Sequence, residues 1–260
     1  MRKILASLAV LLVAGCVTTP ASQGNAEQAV SQQTTTSETQ QRAKVHTELG
    51  ALYLEAGRFG VAQEEARIAI SADSNYAPAY NLLALVNMNL RENAAAEEEF
   101  RHALRLAPND PEINNNFGWF LCQTDRARQS VPHFMAAIKN PLYTTPAKAM
   151  TALGVCYVKM QDDAAAEDFL SKALRVDPNN ADARYWLSEV LYRKGRYYEA
   201  RSSLSELNKV AEPSAPATWL ALRVERKIGD REAEARYASQ LRRKFQGSTE
   251  YQKLMQGQYE

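Results

Sequence analysis

The feature that most constrains this chain of 260 residues is a repeat of about 34 residues in its central part. A large apolar residue followed by a small one recurs five times, at steps of 34, 34, 36 and 34 residues. A second column of small residues has the same spacing. Small residues at two points of each unit let two helices lie close together, so the repeat predicts a stack of helix–turn–helix units. The first column is Leu49-Gly50, Leu83-Ala84, Phe117-Gly118, Leu153-Gly154 and Leu187-Ser188, and the second is Ala62, Ala96, Ser130, Ala166 and Ala200.

These columns resemble those of the tetratricopeptide repeat over about residues 43–214. The resemblance implies an all-α fold, a right-handed superhelical solenoid of about six helix–turn–helix repeats, with the first helix of each repeat on the concave side. Two extra residues in the third repeat fall in a loop, 140–146, where an insertion is expected to be harmless. The predicted units are 43–76, 77–110, 111–146, 147–180, 181–214 and a degenerate capping repeat, 216–246, followed by a tail, 247–260, that is expected to fray.

The first fifteen residues are typical of a bacterial lipoprotein signal peptide. Arg2 and Lys3 precede an apolar run, 4–13, that is too short to span a bilayer as a helix. The run ends in Val13-Ala14-Gly15-Cys16, which resembles a lipobox. That resemblance implies cleavage before Cys16 and attachment of a diacylglycerol and an N-acyl chain to this residue. The alternative is an ordinary secretory signal with an incidental cysteine.

The residues after Cys16 predict a membrane-tethered protein. Acyl chains on a cysteine anchor a chain to a leaflet. Val17 is not the Asp that lipoproteins retained at the inner membrane carry, so the resemblance implies the periplasmic face of the outer membrane. Residues 16–42 are rich in Thr, Ser and Gln and nearly lack large apolar side chains, a composition that predicts a flexible polar tether.

The composition and the motifs argue against nucleic-acid binding and against catalysis. A formal net charge of +1 provides no electrostatic attraction for a nucleic acid. His46, His102 and His133 are not at metal-ligand spacing, and the chain has no phosphate-binding glycine loop or Ser-His-Asp order. We therefore expect no catalytic, metal or cofactor-binding residue and no small-molecule substrate, and we favour a protein-binding module over an enzyme.

The resemblance to the tetratricopeptide repeat implies that certain positions of each first helix lie on the concave side. Here these positions carry mostly apolar and aromatic residues, together with two asparagines whose amides could hold a partner backbone. The alternative is that several of them pack between adjacent helices. The candidate groove residues are Leu54, Asn81, Leu85, Met88, Asn115, Trp119, Val155, Val158, Tyr185 and Tyr192.

Cys122 and Cys156 fall on the first helices of consecutive predicted repeats. These helices are expected to stack as neighbours in an oxidising compartment, which allows a disulfide. The alternative is a pair of small buried thiols, since the sequence does not fix the distance between the two residues.

Two stretches, NNNFGWFLC at 114–122 and GVCY at 154–157, carry a further resemblance. Together with the lipobox, tether and six repeats, they resemble the type IV pilus biogenesis/stability lipoproteins, the pilotin-like proteins of pilus secretins. The resemblance implies that the chain binds the pilus secretin subunit and promotes its outer-membrane localisation and multimerisation. The alternative is a lipoprotein scaffold that organises peptidoglycan enzymes or other envelope complexes.

Overall fold

The computed structural model describes residues 27–259, and the predicted signal peptide and Cys16 lie outside this range. The described part is all-α, with thirteen α-helices, a short 3₁₀ helix and no strand, so the prediction of a tetratricopeptide superhelix is confirmed. None of the described helices has the length and apolar character needed to cross a membrane. The helices are 3₁₀ Val30–Gln32, α1 Glu38–Glu55, α2 Phe59–Ala72, α3 Ala77–Asn89, α4 Asn93–Leu106, α5 Pro111–Gln123, α6 Ala127–Lys139, α7 Pro146–Lys159, α8 Asp163–Val176, α9 Ala181–Arg193, α10 Tyr197–Val210, α11 Ala215–Ile228, α12 Arg231–Lys244 and α13 Thr249–Gln256.

The helices form six successive pairs, α1/α2 to α11/α12, and α13 packs against the last pair. Each odd-numbered helix from α1 to α9 also contacts the next odd-numbered helix, two elements further along the chain. The first helices of the repeats therefore make one continuous inner surface, and the second helices lie outside it. This arrangement places side chains from three repeats around any point of the inner surface.

The turn inside each repeat has one conformation, although its residues vary. Six residues one repeat apart have a left-handed backbone, with φ between 60° and 90°. The amide N–H of the next residue in each turn donates to a carbonyl five positions earlier, as in a Schellman motif. The repeat spacing thus imposes this conformation even on non-glycine residues. The six positions are Gly57, Arg91, Asp125, Gln161, Gly195 and Gly229.

Close approach of paired helices explains the two small-residue columns. A Cβ atom at Gly154 would lie 2.6 Å from Cγ of Leu170. A Cβ atom at Gly50 would lie 3.1 Å from Cβ of Glu65 and 3.3 Å from the Ala62 carbonyl oxygen. The small residues of the second column, Ala62 among them, are fully buried. Each pair of helices therefore packs at a separation that a larger side chain would prevent.

Residues 27–42 differ from the predicted flexible tether. Ala29 is only 1% exposed, and the backbone N–H of Val30 donates to Oδ2 of Asp110 at 2.7 Å. Helix α1 already begins at Glu38. Composition favoured a tether because this stretch has few large apolar groups. Small side chains and hydrogen bonds to distant polar groups hold it instead.

Asp110 connects this N-terminal segment to the third repeat. Its Oδ1 atom accepts the N–H of Ile113 and caps α5, while Oδ2 accepts the N–H of Val30. Burial raises the pKa of the Asp110 carboxyl, and the two N–H donors oppose that shift. Two further hydrogen bonds join Gln32 to Thr144 at 2.9 Å and the Glu27 carbonyl to the side-chain amide of Asn140 at 2.7 Å.

The C-terminal residues do not fray as predicted. Residues 249–256 form α13, whose Leu254 is buried against Trp219 and Leu241. The ring of Trp219 also stacks on Tyr259 at 5.7 Å between centroids. The segment is amphipathic, and it covers the apolar end of the helix stack that the last repeat leaves open.

We expect Gly154→Ala to destabilise the protein. The added methyl group would overlap Leu170, at a cost of about 1–3 kcal/mol in the free energy of unfolding. The control is Gly60→Ala in α2, where a Cβ meets no atom within 4 Å, so greater helix propensity should stabilise by up to about 1 kcal/mol. Denaturant unfolding of the two variants measures the difference. Equal stabilities would contradict the close packing.

We expect Asp110→Asn to release the N-terminal segment while the fold persists. Ile113 and Val30 donate to different oxygens of Asp110, and the amide replaces one of these oxygens by an NH2 group, which cannot accept. Hydrogen exchange should rise at residues 27–33. The control is Asp162→Asn, because Asp162 caps α8 through Ala165 and holds no second segment. Unchanged protection of residues 27–33 in Asp110→Asn would show that Asp110 does not hold them.

Candidate partner-binding groove

A groove of about 710 Å³ lies between α5, α7 and α9, the first helices of three consecutive repeats. We call it the central groove. The loop before α7 and the residues after α8 complete its walls. Its lining residues are Asn115, Asn116 and Trp119 from α5, Thr144 and Thr145 from the loop, Pro146, Ala147, Lys148, Thr151, Ala152 and Val155 from α7, Val176, Asp177 and Asn180 from the end of α8 and the following turn, and Asp182 and Trp186 from α9.

Two half-buried tryptophans line this groove on the helices that flank α7. Trp119 packs against the buried cluster that contains Phe134 and Leu153. Trp186 packs against the buried cluster that contains Val158 and Leu170. Its ring meets the ring of Tyr185 edge-on, with centroids 5.3 Å apart. Because packing restrains both indoles, they present rigid aromatic surface to the groove, a property common in residues that dominate binding energy.

A chain of side-chain amides runs from the second repeat into the groove. Nδ2 of Asn115 donates to Oδ1 of Asn116 at 3.2 Å, and Nδ2 of Asn116 donates to Oδ1 of Asn81 at 3.2 Å. Asn115 is 3% exposed, and its Oδ1 has no hydrogen-bond partner among residues 27–259. A buried acceptor without a partner is costly, so this oxygen can gain free energy from a donor on a ligand.

The charges of the groove are not balanced. Lys148 pairs with Glu112 at 3.3 Å, which neutralises the basic group of its lining. Asp177 and Asp182 lie on the opposite side, where Asp177 accepts the N–H of Asn179 at 2.9 Å. Asp182 is exposed and has no ion pair within the described part of the chain. The α9 side of the groove is therefore acidic.

A disulfide joins two helices of the groove. Cys122 of α5 and Cys156 of α7 are bonded, with 5.9 Å between their Cα atoms, and both are buried. Closure of a 34-residue loop restricts the unfolded chain, a contribution of about 3–4 kcal/mol in the entropy model. The bond also ties the helix of Trp119 to that of Val155, so it holds two walls of the groove together.

The structure brings three predicted groove residues together, because Asn115, Trp119 and Val155 all line the central groove. Asn81 does not line the groove, but it accepts a hydrogen bond from Asn116, which does. The other three predicted residues of the first two repeats are half-buried and pack against their own clusters, outside this groove. Leu54 packs beside Ala62 and Leu82, and Leu85 and Met88 pack beside Phe117 and Phe120.

The structure corrects the prediction for Val158 and Tyr192. Val158 packs in the core between the fourth and fifth repeats. Tyr192 is 8% exposed, and the guanidinium of Arg223 lies 4.3 Å from its ring centroid. Arg223 also donates to the Tyr259 carbonyl, so the C-terminal residues help to cover this part of the inner surface.

Tyr185 is also mostly enclosed. It packs against the buried cluster of the fifth and sixth repeats. Burial raises the pKa of its hydroxyl to about 12, and the nearby carboxylates of Glu189 and Glu250 contribute to the shift. Its contribution to the groove is therefore indirect, because its ring supports Trp186 from the side.

Sequence reasoning missed Trp186 and Asn116, which occupy the sixth position of their repeats and line the groove. It also missed Lys148 and Asp182 at the second position. A tryptophan and an asparagine at a position that Ala152 fills in the fourth repeat were the available signal.

The histidines and cysteines of the described residues do not form a metal-ligand cluster. Within 27–259 no three His, Cys, Asp or Glu side chains cluster as a metal site would require. The ring of His133 bonds to Oδ1 of Asn114, and burial and the nearby Arg101 lower its pKa. Both cysteines of this part of the chain are in the disulfide. The groove presents aromatic surface, side-chain amides and carboxylates.

Comparison with known proteins agrees with this architecture. Two family models, each described as tetratricopeptide repeat, match residues 47–111 and 157–222. The type IV pilus assembly protein PilF of Pseudomonas aeruginosa is 28% identical over 209 residues, which cover 80% of this chain and 83% of PilF.

Two solved structures resemble the chain over almost their full length. PilW, described as a widely conserved type IV pilus biogenesis factor, has a TM-score of 0.77 and 28% identity, with coverage of 82% of this chain and 98% of PilW. Pseudomonas aeruginosa PilF has a TM-score of 0.77 and 27% identity, with coverage of 85% and 100%. The chain therefore belongs to the tetratricopeptide-repeat family and is homologous to the type IV pilus biogenesis factors PilF and PilW.

Proposed function

We propose that the protein is an outer-membrane lipoprotein scaffold for type IV pilus biogenesis. It binds the pilus secretin subunit in the central groove and promotes the localisation and multimerisation of that subunit in the outer membrane. The observation that carries this proposal is the likeness to PilF and PilW over nearly their whole length. The scaffold fold and a groove suited to binding rather than catalysis support it.

The groove supports capture of a partner segment on physical grounds. Trp119 and Trp186 offer large apolar faces whose position is already set by packing, so binding costs little side-chain entropy. The disulfide between Cys122 and Cys156 further restrains two of the three helices. Because the groove is already ordered before binding, little of the free energy of binding is lost to ordering its side chains.

In this proposal, acylation of Cys16 brings the captured secretin subunits together at the membrane. Lipid chains contribute about 0.8 kcal/mol per buried CH₂ group, which holds the scaffold on the periplasmic face of the outer membrane. Subunits held by several such scaffolds are confined to one surface. Confinement raises their effective concentration, which favours multimerisation through the subunits' own contacts.

We expect Cys16→Ala to release the protein from the membrane without unfolding it. The substitution removes the thiol that would carry lipid and leaves every described residue unchanged. Fractionation of the envelope should move the protein to the soluble fraction, and its helical circular dichroism should stay the same. Thr18→Ala is the control and should remain in the membrane fraction. Retention of Cys16→Ala in the outer membrane would refute the anchor.

We expect Trp119→Ala and Trp186→Ala each to weaken secretin capture at least about tenfold, the loss typical of a central aromatic residue at an interface. Co-purification of the secretin with the full chain from envelope extract measures capture, and melting temperature reports the fold. Tyr198→Ala is the matched control, because Tyr198 lies on α10 and is 71% exposed.

Two results would contradict this proposal. Equal capture by all three variants would exclude the central groove as the binding surface. Recovery of peptidoglycan enzymes in place of a secretin would favour the alternative, a lipoprotein scaffold for other envelope complexes.

A further inference from the structure

We infer that the central groove selects an extended segment with a Lys or Arg side chain, which Asp182 and Trp186 receive while Asn115 accepts a backbone N–H. The inference rests on the proposed function only in taking the groove as the binding surface. It adds the conformation and the charge of the segment that is bound.

The amide chain sets the first requirement. Asn115 donates an N–H to Asn116 on the same helix, and Asn116 donates to Asn81 of the second repeat, so the oxygen left over at the end of the chain is Oδ1 of Asn115. This atom lacks a partner among the described residues and can only accept. A ligand that satisfies it must donate a hydrogen bond where Asn115 lines the groove.

The need for a donor favours an extended segment over a helix. In an α-helix, backbone N–H groups beyond the first turn are already bonded to carbonyls of the same helix. In an extended segment, successive N–H groups point outward and remain available to a partner. A helix laid in the groove would leave Asn115 Oδ1 without a donor, whereas an extended segment supplies one from its backbone.

The charges set the second requirement. The basic group of Lys148 is already paired with Glu112, while Asp177 and Asp182 leave the α9 side acidic. A positively charged side chain is attracted to this side, and an acidic one is repelled. The attraction acts at an exposed site, so it should decline as salt concentration rises.

Asp182 and Trp186 lie four residues apart on α9, so they share one face of that helix. Both line the groove. A carboxylate beside an indole face is a matched receptor for Lys or Arg, because the charge pairs with the carboxylate and the cation is attracted to the ring. The lining thus combines an aromatic and an ionic contact for one basic side chain.

The test is a selection from a phage-displayed library of random twelve-residue peptides on the immobilised full chain. We expect the recovered peptides to be enriched in Lys and Arg. The variant Asp182→Lys should reverse this preference toward Asp and Glu. Glu232→Lys changes net charge equally on α12, outside the groove, and should leave the preference as in the unmodified chain. A library that yields no basic enrichment, or an Asp182→Lys preference equal to that of Glu232→Lys, overturns the inference.

A second variant examines the backbone contact. Asn115→Leu removes the acceptor with little change in side-chain volume, so a recovered basic peptide should bind about tenfold more weakly, which corresponds to about 1.4 kcal/mol. Its melting temperature should change little, because the substitution removes a buried oxygen without a partner together with the hydrogen bond from Asn115 to Asn116. Equal affinity overturns the backbone contact.

The outcomes separate this inference from the proposed function. If Trp186→Ala abolishes secretin capture but the library shows no preference for basic residues, the scaffold function stands and the inference fails. If basic peptides are selected but no secretin is captured, the groove chemistry stands and the secretin is excluded as the partner.

Discussion

The structure depends on how closely the two helices of each repeat can approach. Gly154 against Leu170 leaves no room for even one methyl group in the existing packing, and a Cβ at Gly118 would lie only 3.2 Å from the ring of Phe134. A helix pair set at this separation fixes the angle at which the next pair stacks, and repetition of the same pair makes the superhelix. The inner surface, and any groove on it, is a consequence of these small residues.

The central groove lies where the repeat departs from its regular length. The loop 140–146 contains the two extra residues expected to be harmless, yet Thr144 and Thr145 form a wall of the groove. Tyr143 of the same loop is buried, and Gln32 of the N-terminal segment bonds to Thr144. A regular repeat would present the same shallow surface at each step. The insertion therefore distinguishes one part of the inner surface from the others.

Sequence reasoning reached the fold because the repeat columns are local and recur five times. It found Asn115 and Trp119 because concave positions recur with the repeat. It missed Trp186 because the sixth position was not among the repeat positions expected on the concave side. It also missed the docking of residues 27–37. That segment is held by hydrogen bonds to Asp110 and other residues far along the chain, which composition does not encode.

Docking of the N-terminal segment relates the groove to the proposed anchor. Asp110 caps α5, the helix of Asn115 and Trp119, and holds Val30 with its second oxygen. The described chain thus begins beside the groove, where the Glu27 carbonyl bonds to Asn140. Ten residues lie between Cys16 and Glu27, so their Cα atoms lie at most about 40 Å apart in any conformation. A partner in the groove would consequently stay near the leaflet that holds the lipid. The point at which the chain leaves the solenoid, rather than any contact of the groove with lipid, would set that distance.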